Sequence, residues 1–153
     1  MNENKINSYL SFRLGNEKYA ANVSKTLKIL QLSEITKVPN APVNMKGVIN
    51  HHGNVLPVVD LSQTFQLPET EVTQNTCIII LSVDQGNEVV NIGAIVDEVL
   101  SVSEISDDQI SEPPSLGKTS SLDHIWGVFK KDEEFIMVLD IDKIFKDIIL
   151  TND

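Results

Sequence analysis

The chain has one cysteine, Cys77, and one tryptophan, Trp126, and no excess of positive charge: 12 Lys and Arg stand against 22 Asp and Glu, a formal net charge of −10. A single cysteine cannot close an internal disulfide. Its neighbours Thr76, Ile78 and Ile79 place it on an apolar strand, away from the cationic groups that activate a thiol. Without a run of Lys and Arg, the protein has little with which to neutralise a phosphate backbone or settle on an anionic bilayer, so nucleic acid and lipid surfaces are not expected partners. Long apolar runs are also missing. A stretch such as Cys77 to Leu81 falls far short of the roughly 20 residues needed to span a bilayer. Met1 to Lys5 carry no signal-peptide-like apolar region, which points to the cytoplasm.

Familiar catalytic motifs are absent as well. The sequence holds no Walker-type phosphate loop, no G-x-G-x-x-G, no H-E-x-x-H and no C-x-x-C. His51 and His52 are adjacent, but neighbours in a strand or turn point in different directions, and Cys77 and His124 stand at no recognisable ligand spacing. The acidic stretch Ser106-Asp107-Asp108, with Glu112 nearby, lacks the glycine and terminal glutamate of a calcium loop. Asp60 and Asp140 follow apolar strands in equivalent places, which suits a pair of structural caps better than a catalytic dyad. No cofactor, no metal and no enzymatic activity are expected.

What is present is β-pattern. At 153 residues the chain has the size of one domain, and folding at that length removes roughly 70% of the unfolded surface from water. Leu10 to Leu14, Val55 to Val59, Thr76 to Val83, Val89 to Val96 and Phe135 to Ile141 read as strands. The pairs Gly15-Asn16, Gly53-Asn54 and Gly86-Asn87 read as tight turns between them. Helical spacing predicts short helices over Ser24 to Leu30 and Ile141 to Leu150, the latter with Ile144, Phe145, Ile148 and Ile149 on one face. Pro68 to Asn75 and Ser106 to Asp123 read as loops, the second containing Glu112-Pro113-Pro114 and Ser115-Leu116-Gly117. Trp126 is expected in the core of the second barrel, with an exposed binding anchor as the alternative.

An internal repeat organises these pieces. Gly47-Val48 reaches Val58-Val59-Asp60-Leu61 and Phe65 at the spacing with which Gly127-Val128 reaches Val138-Leu139-Asp140-Ile141 and Phe145. Upstream, Ile29 to Ile35 aligns with Val99 to Ile105, and an insertion after Ile105 explains the change of spacing. Two β units of about 70 residues, each too small for a large core of its own, imply a pair of small barrels packed together, roughly in the N-terminal and C-terminal halves of one domain spanning 1–153.

The segments Lys37-Val38-Pro39-Asn40-Ala41-Pro42, Lys46-Gly47-Val48-Ile49-Asn50 and Gly53 to Leu61 resemble the signature of the CheW-like family. The resemblance continues through Ile92 to Val99, Glu112-Pro113-Pro114, Trp126-Gly127-Val128 and Val138 to Phe145, so it extends from about Tyr9 to Phe145. It implies an all-β protein with short helices, built as two SH3-like five-stranded barrels around a shared hydrophobic centre. It also implies a non-enzymatic adaptor that couples the cytoplasmic tip of methyl-accepting chemoreceptors to the regulatory domain of a CheA-type histidine kinase. A regulatory domain that binds a small ligand between its barrels is the alternative, which a large pocket with converging polar groups would favour.

Two positions depart from the family pattern. Where most relatives carry Asn-Leu-Arg-Gly, this chain has Asn50-His51-His52-Gly53, and Lys28 aligns with a usual acidic residue. An ion pair between those family residues is not reproduced, so partner choice is expected to differ. The partner-binding residues expected from the repeat and the resemblance together are Thr26, Lys28, Ile29, His52, Val99 and Val102, with Ile29 and Val99 in equivalent positions.

Overall fold

The apolar runs form strands, and their burial shows why not all of them alternate. The computed structural model describes residues 5–41, 45–113 and 124–150. Among these lie β1 (Ile6–Leu14), β2 (Glu17–Asn22), β3 (Thr26–Gln31), β4 (Met45–His51), β5 (Asn54–Asp60), β6 (Cys77–Asp84), β7 (Val89–Val96), β8 (Glu98–Ser106), β9 (Ile125–Lys131) and β10 (Glu134–Leu139), with helices α1 (Leu61–Thr64) and α2 (Ile141–Leu150). Pro42, Pro114 and Ser115-Leu116-Gly117 lie outside the described residues, as do the side chains of Ile148 and Ile149.

Two five-stranded sheets result, in the orders β8-β1-β2-β10-β9 and β3-β6-β7-β5-β4. Each curls back on itself. The chain after β3 meets β4 through Thr36 and Val48, and the chain after β8 meets β9 through Ser111 and Val128. These bridges join the two edges of each sheet and make it a small barrel. Ile49, Leu56, Val58, Ile78, Ile80 and Ile95 fill one barrel; Tyr9, Ala20, Ile105, Phe129, Ile136 and Val138 fill the other. Between the barrels, a third and larger cluster draws on both sheets, including Phe12, Tyr19, Ile79, Leu81 and Ala94, and is completed by Ile141, Ile144 and Phe145 of α2. β6 therefore has an apolar neighbour on both faces: Ile78 and Ile80 point into a barrel, while Ile79, Leu81 and Val83 point into the shared centre. A strand buried on both sides needs a continuous apolar run, not alternation.

The two sheet orders are the same when β3 is read for β8, β6 for β1, β7 for β2, β5 for β10 and β4 for β9. The duplication is thus visible in the fold, but the barrels do not coincide with the halves of the chain. The barrel of β3 to β7 is contiguous, whereas the other joins β1 and β2 to β8, β9 and β10. Each repeat lends its first hairpin to the last three strands of the other. Equivalent hairpins present equivalent edges, so local pattern does not distinguish the two pairings.

Three local expectations are corrected. The segment Ser24 to Leu30 is not a helix: a 3₁₀ turn over Val23–Lys25, capped by the Asn22 side chain on Ser24 N, gives way to β3. Leu27 occupies a bulge in the pairing of β3 with β6, and one extra residue in a strand imitates helical spacing. The second turn is His52-Gly53, with φ of 55° and 83°, between the paired residues His51 and Asn54. Both central residues at positive φ mark a two-residue type I′ turn. Trp126 is 51% exposed, not in the core, because it precedes the buried Gly127 on β9 and so faces out of the barrel.

The repeated Gly-Val pairs have a steric origin. Gly47 has φ of 149°, and a Cβ there would lie 2.2 Å from the carbonyl oxygen of Thr36. Thr36 and Val48 exchange backbone hydrogen bonds of 2.9 and 2.8 Å at that crossing. Gly127 occupies the matching crossing of the other barrel, where Ser111 and Val128 exchange bonds of 2.8 and 2.9 Å. The repeated aspartates are caps. Asp60, buried, accepts from Ser62 N, Thr70 N and Thr70 Oγ1 at 3.0, 2.9 and 2.8 Å, and Asp140 accepts from Lys143 N at 3.2 Å.

Candidate partner-binding site

Residues directly opposite in a sheet share a face, so strand register shows where each expected site residue points. On β3, Thr26 pairs with Leu81 and Ile29 with Ile79. On β8, Val99 pairs with Phe12 and Val102 with Leu10. All four partners belong to the cluster shared between the barrels. Thr26, Ile29, Val99 and Val102 thus stand on the side of β3 and β8 that faces the junction. Because β3 and β8 each end their sheet, these side chains flank the shared centre without closing it over.

Burial divides the four into floor and walls. Thr26 and Val99 are half-buried, whereas Ile29 and Val102 are 45% and 60% exposed. Register also revises the internal equivalence. A bulge at Leu27 matches one at Leu100, which makes Thr26 the counterpart of Val99 and Ile29 the counterpart of Val102. Leu27 and Leu100, 55% and 37% exposed, are further apolar residues on these edges that sequence reasoning missed. Their signal was the bulge, which cannot be seen without the partner strand. The start of β8 approaches the end of β3: Glu98 and Val99 line a shallow cleft of about 440 Å³ with Gln31, Leu32 and the segment from Val72 to Cys77.

Lys28 and His52 lie elsewhere. Lys28 pairs with Ile80, which fills the barrel interior, so its side chain leaves on the opposite face from Ile29. The rings of His51 and His52 have centroids 4.2 Å apart. Desolvation first, then the neighbouring charges of His52 and Lys28, hold the His51 imidazole below its ordinary value. The structure thus gathers Thr26, Ile29, Val99 and Val102 at the junction, while Lys28 leaves on the other face of β3, where its charge acts on His51. Sequence reasoning considered His51 only as a metal ligand. Among the described residues, no group of three or more His, Cys, Asp or Glu side chains is placed to hold a metal ion.

Other cavities are open and mixed in lining. One of about 380 Å³ is bounded by Trp126, Tyr9, Lys25 and Asp140, and Lys25 is paired there with Asp142 at 2.6 Å. No helix among the described residues is long and apolar enough to cross a membrane.

Comparison with known proteins agrees with this architecture. The family model for the CheW-like domain matches residues 8–148. A protein of Klebsiella aerogenes named chemotaxis protein CheW is 31% identical, over 89% of this chain and 80% of that protein. The chemotaxis protein CheW of Thermotoga maritima is 32% identical, over 91% of this chain and 87% of its own length. The crystal structure of the scaffolding protein TtCheW from Thermoanaerobacter tengcongensis superposes with a TM-score of 0.80 at 26% identity, covering 92% of this chain and 88% of that one. With two barrels around a shared centre and a match along most of its length, the chain belongs to the CheW-like family of chemotaxis coupling adaptors.

Proposed function

We propose that this protein couples the cytoplasmic tips of methyl-accepting chemoreceptors to the regulatory domain of a CheA-type histidine kinase, in the bacterial cytoplasm and without catalysing a reaction. The observation that carries this reading is the twin apolar edge. Ile29 and Val102, equivalent residues of two barrels, stand exposed on either side of the shared centre. Exposed aliphatic side chains over a rigid junction suit a helix laid against it, with affinity from apolar burial and selectivity from charge at the margin. The outer barrel faces are the surfaces we assign to the kinase domain.

Calorimetric titration with a chemoreceptor tip and a kinase regulatory domain from the same genome tests this. Micromolar or tighter binding of both is expected. Burying one aliphatic side chain is worth about 1.5–3 kcal/mol, so Ile29→Asp with Val102→Asp is expected to weaken tip binding at least about tenfold, with the urea midpoint unchanged. Failure of the wild-type protein to bind either partner refutes the proposal.

A further inference from the structure

The chain passes between the two barrels twice, through Val23–Lys25 from β2 to β3 and through the single residue Asp97 from β7 to β8. Thr26 directly follows the first crossover and Val99 stands two residues beyond Asp97, so both floor residues of the junction are carried by segments that join the barrels. The crossovers are held differently. At the first, Lys25 Nζ lies 2.6 Å from Asp142 Oδ2, in a pair whose side chains are 29% and 35% exposed. At the second, the Asp97 side chain is 13% exposed. Its Oδ2 accepts from Gly15 N at 2.6 Å, and its own N–H donates to Arg13 O at 3.1 Å. The Arg13 guanidinium stands 4.0 Å from the Asp97 carboxylate and 3.4 Å from that of Glu98, and donates to Gly15 O at 2.8 Å. A backbone N–H on a carboxylate is among the stronger hydrogen bonds, so one side chain ties the β7-β8 crossover to the β1-β2 turn.

An open cavity of about 720 Å³ lies beside this point, lined by Arg13, Gly15 and Asp97 together with Leu67, Thr70 and Thr73 of the β3-to-β7 barrel. On that side hydrogen bonds, not packing, hold the crossover. Glu98 and Val99, the next residues, line the cleft that reaches Gln31 and Leu32 at the end of β3. A shift at Asp97 therefore moves β8 relative to β3. We propose that Asp97 is a positioning residue for the partner site: by fixing the crossover against the β1-β2 turn it sets the separation of β3 and β8, and with it the width of the apolar junction between Ile29 and Val102. This rests on the reading that the junction receives a chemoreceptor tip. Asp97 acts through the backbone that carries Val99 and Val102, not by contact with the tip.

The test compares wild type with Asp97→Ala, Asp97→Asn and Arg13→Gln in calorimetric titrations of the full chain with the receptor tip and with the kinase regulatory domain. Asp97→Ala is expected to weaken tip binding about tenfold and to leave kinase-domain binding unchanged, because the outer barrel faces are untouched. Asp97→Asn keeps an oxygen that accepts from Gly15 N and is expected to recover most of that loss. Arg13→Gln leaves the Gly15 bond in place and is expected to weaken tip binding about threefold; it decides the matter by the same criteria if Asp97→Ala does not fold. Spin labels on Val55→Cys of β5 and Phe135→Cys of β10, both exposed and one on each barrel, in a Cys77→Ser background, report the barrel separation, which is expected to shift or broaden in Asp97→Ala. Equal tip binding by wild type and Asp97→Ala, equal weakening of tip and kinase domain, or an unchanged label distance each overturns the inference and leaves the adaptor reading intact. A wild-type chain that binds no tip refutes the adaptor reading, and the inference falls with it.

Discussion

Substituting Gly47 tests the account of barrel closure most sharply. In Gly47→Ala, the new Cβ would lie 2.2 Å from the Thr36 carbonyl oxygen and 2.8 Å from its carbon. Both are backbone atoms, so no side-chain rotation relieves the overlap. The crossing has to open, and it is held by the two backbone hydrogen bonds between Thr36 and Val48. Each contributes about 0.5–1.5 kcal/mol net. Forcing an L-residue to the φ of 149° found there adds about 1–3 kcal/mol of strain. The sum is about 2–6 kcal/mol, a large fraction of the roughly 5–15 kcal/mol that holds a domain together. In a chain of this size that lowers Tm by roughly 4–24 °C.

Two further glycines calibrate the effect. Gly53, at φ 83°, has nothing within 4 Å of the place a Cβ would take, so Gly53→Ala carries only the backbone term, about 1–2 kcal/mol. In Gly127→Ala the nearest atom is the Ile110 side chain at 2.4 Å, with Ser111 O at 3.1 Å, and a side chain yields more readily than backbone. The expected order of loss in urea unfolding is Gly47, then Gly127 and Gly53 together. If Gly47→Ala proves no more harmful than Gly53→Ala, the steric explanation of the repeated Gly-Val pair is wrong.

The hairpin between β9 and β10 turns through Asp132 and Glu133 at φ 52° and 68°, and Glu133→Gly is expected to stabilise by about 1 kcal/mol in urea unfolding, since glycine reaches that region without strain. Asp60→Ala removes a buried acceptor of three hydrogen bonds and is expected to lose about 2–4 kcal/mol. Asp140→Ala, with one bond at a half-buried site, is expected to lose about 1 kcal/mol; equal losses would contradict the difference in burial. His51 is held below its ordinary value by desolvation and by His52 and Lys28, so protonating it is less favourable in the fold than in the unfolded chain, and stability falls as pH drops below about 6.5.

Much of this architecture was legible because it is written in spacing. The Gly, Asp and Phe matches announced the duplication, and the helical spacing of Ile144, Phe145, Ile148 and Ile149 announced α2, of which Ile144 and Phe145 are buried in the shared centre. Pairing between distant strands was not legible, because β1-β2 and β6-β7 are interchangeable as local patterns, and only the completed core determines which edge each takes. Among the residues expected to face a partner, one internal correspondence was wrong: Ile29 matches Val102, not Val99, since the bulges at Leu27 and Leu100 shift register. Trp126 was misplaced because an aromatic beside a buried glycine looks like core until the strand's alternation is known.

The exchange of hairpins between repeats gives the two barrels different histories during synthesis. Strands β3 to β7 can pair as soon as Val96 has left the ribosome, using contacts within one continuous stretch. The β1-β2 hairpin emerges first yet finishes last. Its contacts span 90 residues from Ser11 to Ser101 and 116 from Lys18 to Glu134, and an isolated two-stranded hairpin is only marginally stable in water. Until β8 and β10 arrive, Leu10, Phe12 and Leu14 have only part of their final apolar surroundings. For this chain, the interval between the first strands and the last is therefore the period of greatest exposure to misassembly.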